Sequence, residues 1–234
     1  MNIFALDSSG SAASAAVLRD GRVIAESFCD VGLTHSVTLL EICDQVFKRA
    51  SLSPADIDLY ALSEGPGSFT GLRIGASLLK GFAMPSDIPC AGVSTLEAIS
   101  HGIYSPGAVI VPVCDARRDR VYCAAFRDEE RLLDDRTEEI SALPSVLASL
   151  GTSFIFTGDA AEKTVSLLGD ALDCTAAPQH LRMCRASAVG AVAFRMYAEG
   201  SIIKAAELAP KYHQLSQAER ERNRKQETRG GEQE

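Results

Sequence analysis

The sequence predicts an α/β protein, with a second αβ unit less regular than the first, and three observations carry the α/β reading. Residues 3–6, 13–18 and 23–28 are short apolar runs with strand character, and Asp20-Gly21 between the last two is a strong hairpin signal. Over residues 33–50 the apolar period becomes helical, with Leu39, Leu40, Ile42, Cys43, Val46, Phe47 and Ala50 on or near one face. From residue 57 onward strands and helices alternate, which implies right-handed crossovers and partly parallel pairing.

The elements follow in order. Ser53-Pro54 breaks the first helix, and residues 57–63 form a short buried strand. A glycine-rich loop leads into a second helix over residues 71–84, which Pro85 stops. Residues 89–93 read as a strand, and Ser94 opens a helix to about residue 101, with Glu97 placed to complete a capping box. Tyr104-Ser105-Pro106-Gly107 has the composition of a linker. Beyond it, residues 108–114, 121–126 and 152–157 read as strands, and 143–150, 160–168 and 186–197 as helices. The expected organisation is an N-terminal subdomain over 1–104, a smaller C-terminal one over 105–215, and a charged, partly disordered tail over 216–234. No internal repeat is visible in the sequence itself.

Composition narrows the function. The chain has 234 residues, 46% apolar and 23% charged, which is ordinary globular composition. A formal net charge of -8 argues against binding nucleic acid alone through a broad basic surface, though not against a place in a complex that holds RNA. Seven cysteines without a Cys-x-x-Cys pair fit reduced thiols. The amino terminus lacks a basic region and meets Asp7 early, and no uncharged apolar stretch approaches membrane-spanning length. A soluble, cytoplasmic protein is expected, with no membrane partner.

The most informative stretch runs from Glu64 to Gly75, with Gly65, Gly67, Gly71 and Gly75 in a dozen residues. Glycine at this density lets the backbone turn sharply and approach another surface closely, whether a phosphate or protein. The segment Gly65-Pro66-Gly67-Ser68-Phe69-Thr70-Gly71-Leu72-Arg73-Ile74-Gly75, followed by Lys80-Gly81, Ile88-Pro89 and Val93-Ser94-Thr95-Leu96-Glu97-Ala98, resembles the bacterial TsaB (YeaZ) family. Ala5-Leu6-Asp7-Ser8-Ser9, Thr34-His35-Ser36 with Leu39-Leu40, and Asp115-Ala116-Arg117 with Val121-Tyr122 fit as well. The match is dense over roughly the first 125 residues; afterwards only Gly158-Asp159 and Pro210-Lys211-Tyr212 echo the family. Thr34 stands where the family commonly has an arginine.

The resemblance implies an actin-like ATPase (ribonuclease H-like) α/β fold, two related αβ subdomains in tandem. It also implies a role in making threonylcarbamoyladenosine beside the anticodon of tRNA. In that pathway TsaB is the paralogous partner of the catalytic subunit TsaD, and the ATPase TsaE joins the assembly. The family pairs through its first two helices, with TsaD or with a second copy, so a heterodimer with TsaD, and a homodimer when alone, are expected. Contact with tRNA is expected only through the complex.

Chemistry by this chain alone is not expected. TsaD carries a His-x-x-x-His metal motif on the helix after this strand, and here the corresponding positions are Thr95 and Ile99. Helical i, i+4 spacing would place two imidazoles on one face, but isoleucine cannot ligate a metal. His180 and Cys184 are four apart, yet two ligands close no site, and His101 and His213 are isolated. No catalytic residue and no metal site is assigned. Asp7, Ser8 and Ser9 read either as a strand-end turn or as the remnant of a phosphate loop, so no cofactor is assigned beyond weak adenine nucleotide binding. The alternative is a stand-alone ATPase or a glycoprotease-like peptidase.

The glycine loop (Gly65, Gly67, Ser68, Gly71) is then read as a packing device. The expected partner interface comprises His35, Leu39, Cys43, Val46 and Phe47 on the first helix, and Leu72, Gly75, Leu78, Leu79 and Phe82 on the second.

Overall fold

The structure, a computed structural model, describes residues 1–32 and 34–213. The tail expected over 216–234 lies outside the described residues.

The chain opens with an antiparallel meander: β1 (Asn2–Asp7), β2 (Ala13–Arg19) and β3 (Arg22–Cys29). Asp20 and Gly21 both adopt positive φ at the β2–β3 turn, as the Asp-Gly signal requires. Helix α1 (His35–Ala50) then returns the chain to β4 (Leu59–Gly65), which pairs parallel with β1. Helix α2 (Phe69–Ala83) leads to β5 (Cys90–Ser94), parallel to β4. The first sheet therefore has the order β3-β2-β1-β4-β5.

After α3 (Thr95–His101) the pattern repeats with β6 (Val109–Asp115), β7 (Arg120–Arg127) and β8 (Glu130–Glu139) as an antiparallel meander. Helix α4 (Leu143–Leu147), β9 (Phe154–Thr157), α5 (Ala161–Leu168) and β10 (Cys174–Ala176) complete it, with β6, β9 and β10 parallel. The order β8-β7-β6-β9-β10 reproduces that of the first sheet strand for strand. The sequence shows no such repeat, because hydrogen-bonded topology survives replacement of nearly every side chain on it.

Helices α1 and α2 cover one face of the first sheet. There Phe4 stacks on Phe47 with ring centroids 4.6 Å apart, and Phe82 meets both edge-on. The opposite face is covered by α6 (Ala186–Ala198), whose Val189, Val192 and Ala193 pack on Ile3, Ala5 and Leu18. This helix was expected in the C-terminal subdomain; by packing it belongs with the first sheet. Gly190 permits it, since a Cβ there would fall closer than 3.0 Å to Leu18. The chain then adds Ile203, hydrogen-bonded to Cys90, and buries Ala205 and Leu208 in the first core.

Helix α3 lies between the sheets, with Leu96 against Ala124 and Phe126 of the second and Ala98 and Ile99 in the core of the first. Ser94 caps it, its Oγ accepting from the Glu97 amide at 3.2 Å. The Glu97 carboxylate does not return to close a capping box. It accepts from Arg131 at 2.6 Å and from Arg195, while Arg131 also pairs with Asp135 and Ser94 Oγ donates to Asp135. This network fastens α3 and α6 to the edge strand β8.

Two strands were not expected from sequence. Strand β8 carries so many charges that no apolar alternation stands out; as an edge strand it exposes much of its length, where charge is tolerated. Strand β10 is only three residues long, also at an edge.

Candidate functional site: the interlobe cleft and the outer faces of two helices

The two sheets face each other across a cleft of about 650 Å³. Its floor comes from equivalent strand ends of the two halves: Asp7 at the end of β1, Asp115 at the end of β6, and the glycine turns after β4 and β9. Gly65 and Gly158 occupy those turns with φ of +128° and +101°, conformations that side chains rarely adopt. This duplicated arrangement is the actin-like αβ class.

The glycine loop packs against the chain's own first hairpin. A Cβ on Gly67 would fall closer than 3.0 Å to the Ser9 carbonyl, one on Gly71 to the Ser8 carbonyl, and one on Gly75 to Ser8 Oγ. The approach is fixed by Ser68 N–H donating to the Ser9 carbonyl at 2.6 Å and Ser8 Oγ donating to the Gly71 carbonyl at 2.9 Å. Ser68 also caps α2, accepting from the Gly71 amide at 3.2 Å. His35 sits beside Gly71, its Nε2 2.9 Å from the Gly10 carbonyl.

Asp7 Oδ1 accepts from Ser9 N–H at 3.2 Å, from Ser9 Oγ at 2.7 Å and from Ser63 Oγ. Asp7, Ser8 and Ser9 are all buried, and Asp7 and Ser9 line the floor of the cleft. The Ser8 and Ser9 hydroxyls both donate inward, to the Gly71 carbonyl and to Asp7.

The rest of the cleft is mixed in character. Thr95 and Ile99 line it, and the Thr95 hydroxyl is buried without a hydrogen-bond partner. Cys114 and Cys184 also line it, and burial pushes both thiols well above their ordinary pKa, with nearby carboxylates adding to the shift. Neither is poised as a thiolate nucleophile. Burial likewise raises the Asp159 carboxyl, although the Asp115 amide donates to it at 2.9 Å. Among the described residues no cluster of three or more His, Cys, Asp or Glu could hold a metal ion. His180 and Cys184 form no ligand pair, since a short 3-10 turn (Gln179–Leu181) replaces the helix that would align them.

Pro210-Lys211-Tyr212 closes the mouth of the cleft over the glycine loop. Lys211 N–H donates to the Glu64 carbonyl at 2.7 Å and Lys211 Nζ pairs with the Glu64 carboxylate at 2.6 Å. Tyr212 lies against Phe69, centroids 4.5 Å apart, and its hydroxyl accepts from Arg73 at 2.9 Å. The sequence flagged this tripeptide but not its destination.

The residues expected to face a partner are mostly interior. Leu39, Cys43, Val46, Phe47, Leu72, Gly75 and Leu79 are buried in the first core, and Phe82 packs against it. Leu78 and His35 are partly exposed, with His35 turned to Gly10. Helical periodicity selects the most apolar face of a helix, and that face is the one folding buries. The outward apolar residues are Val37 and Leu40 on α1, 64% and 59% exposed, with Met84 after α2 at 58%. On α2 Ile74 and Leu78 pack partly against the first core, and beside them Ser77 and Gly81 are exposed and small. The two helices lie side by side.

Comparison with known proteins follows the same lines. Residues 30–219 match the family model described as TsaD, tRNA N6-adenosine threonylcarbamoyltransferase. The chain belongs to this family, and the curated relatives it resembles carry the name TsaB. It is 34% identical over 134 residues to the tRNA threonylcarbamoyladenosine biosynthesis protein TsaB of Bacillus subtilis, covering 57% of this chain and 58% of that protein. To the Escherichia coli protein of the same name it is 32% identical over 151 residues, covering 63% of this chain and 64% of the other. The chain thus spans about three-fifths of the curated relatives it matches. The fold extends further: YeaZ from Pseudomonas aeruginosa superposes with a TM-score of 0.77 at 24% identity, covering 90% of this chain and 99% of that one.

Proposed function

We propose that this chain is a non-catalytic subunit of the assembly that makes threonylcarbamoyladenosine in tRNA, and that it pairs with the TsaD subunit through the outer faces of α1 and α2. The observation that carries the non-catalytic reading is Thr95 and Ile99 lining the cleft at the positions where a metal-binding paralogue needs two imidazoles. The curated relatives, named for this biosynthesis, support the pathway.

The pairing surface consists of Val37 and Leu40 on α1 with Ile74, Ser77, Leu78 and Gly81 on α2. The exposed Val37 and Leu40, with half-buried Ile74 and Leu78 around the small Ser77 and Gly81, suit close packing of another helix pair. A paralogue with the same fold presents an equivalent helix pair, so a homodimer in the partner's absence uses the same surface. TsaE joins the assembly, and the product is formed on the TsaD side.

Two experiments test this. Depleting the protein and quantifying modified nucleosides in digested tRNA should show threonylcarbamoyladenosine lost; an unchanged level would sink the pathway assignment. Val37→Glu with Leu40→Glu should abolish co-purification with TsaD while leaving the fold intact by circular dichroism. Co-purification at the wild-type level would refute the surface.

A further inference from the structure

The hairpin between β6 and β7 is the part of the molecule that neither the cleft nor the pairing face explains. Arg117, Arg118 and Asp119 adopt φ of 66°, 54° and 54°, three consecutive non-glycine residues in the left-handed region. Such residues are costly singly and rare in series, and glycine or asparagine would hold the turn with less strain. The turn is closed by Ala116 N–H donating to the Arg120 carbonyl at 2.9 Å and by Arg120 N–H donating to the Arg117 carbonyl at 3.2 Å.

The strain presents charge. Arg117, Arg118 and Arg120 are all exposed in a chain of net charge -8, and Arg117 lines the cleft. Among the described residues Arg118 and Arg120 have no carboxylate partner, although Glu139 stands opposite Arg120 in register. The hairpin's own acids are already engaged. Asp119 pairs with Lys163 at 2.8 Å, and Asp115 accepts from the Arg117 amide at 3.1 Å. What remains outward is guanidinium on a short, fixed loop, a geometry that suits phosphate oxygens.

We propose that this hairpin contacts the phosphodiester backbone of RNA, so that the subunit touches the tRNA directly instead of only holding the partner that does. The identity of the RNA rests on the function proposed above; the phosphate contact does not. Backbone contacts set position and carry no sequence information, so the effect should be uniform across tRNA sequences.

The test uses the full chain and unmodified tRNA transcripts, with binding followed by fluorescence anisotropy across a potassium chloride series. Arg118→Gln with Arg120→Gln should weaken binding uniformly and lower the slope of log affinity against log salt by about one per arginine. Arg49→Gln, removing an exposed charge on α1, should change neither quantity. Arg118→Gly should lose RNA affinity yet melt no lower than the parent, because it relieves the turn; a turn kept only for structure would gain stability and keep its affinity. Wild-type slope in the double variant, equal loss in Arg49→Gln, or no salt-dependent binding by the parent would each overturn the inference. If depletion leaves tRNA modification unchanged while the double variant loses slope, the pathway fails and the hairpin contact stands. The reverse pair of results leaves the pathway and removes the contact.

Discussion

Replacing Gly71 by alanine tests whether the glycine loop exists to let two backbone segments touch. Gly71 lies in the first turn of α2, where alanine would ordinarily gain about 1 kcal/mol. Its Cβ, however, would fall closer than 3.0 Å to the Ser8 carbonyl, a backbone atom in a buried strand-end turn, and 3.0 Å from the His35 ring. Overpacking of this kind costs about 1–3 kcal/mol. Separating the segments also strains the Ser8–Gly71 hydrogen bond and the Ser68 cap, each about 1 kcal/mol. The net is a loss of about 2–4 kcal/mol, or roughly 4–16 °C in melting temperature for a protein of this size. Gly81 on the same helix is the control. It is exposed, a Cβ there meets nothing within 4 Å, and Gly81→Ala should raise the midpoint by about 2–4 °C. Thermal unfolding by circular dichroism on both variants decides the matter. Gly71→Ala melting at or above the parent would refute the argument, as would the two variants moving together.

Three further outcomes follow from the same geometry. Val46→Glu should unfold or aggregate the protein, since a carboxylate would be buried without a partner, whereas Leu40→Glu, at an exposed position, should fold normally and lose only pairing; equal stability of the two by urea titration would contradict the assigned faces. Burial raises the Asp159 pKa, so the folded state binds that proton more tightly than the unfolded chain, and stability present at acid pH is lost as pH rises through the folded value. Asp159→Asn should therefore melt at or above the parent at pH 8 and lose that advantage below about pH 4; a variant less stable than the parent only at pH 8 would show the sign to be wrong. Glu97→Ala removes the shared acceptor of Arg131 and Arg195 and should cost about 1–3 kcal/mol, read as a lower urea midpoint; an unchanged midpoint would mean that the network does not fasten the lobes.

Much of the architecture was legible because it is written in local chemistry. Asp20-Gly21 specified a hairpin, Ser94 specified a helix start, and apolar periodicity located α1 and α2, while the Ser68 cap that starts α2 at Phe69 reads in the sequence as part of the glycine loop. The same periodicity picked out the residues that folding buries. Leu39, Cys43, Val46 and Phe47 are the strongest apolar stripe of α1 and for that reason lie inside, while Val37 and Leu40 form a weaker, outward stripe that only the fold distinguishes. Strand β8 was invisible because an edge strand can be written in charged residues, and its Arg131 and Asp135 join a network assembled from three distant parts of the chain.

By itself the sequence determined the α/β class and the family, since each depends on residue identity at fixed spacing. The tertiary structure alone decided what the glycines approach. A bare backbone face announces close contact but carries no record of the second surface, and here that surface is the chain's own Ser8–Ser9 turn, brought there by parallel pairing of β1 with β4. It also decided that α6 folds back on the first sheet and that the two halves share one topology, both long-range facts with no local signal in the sequence.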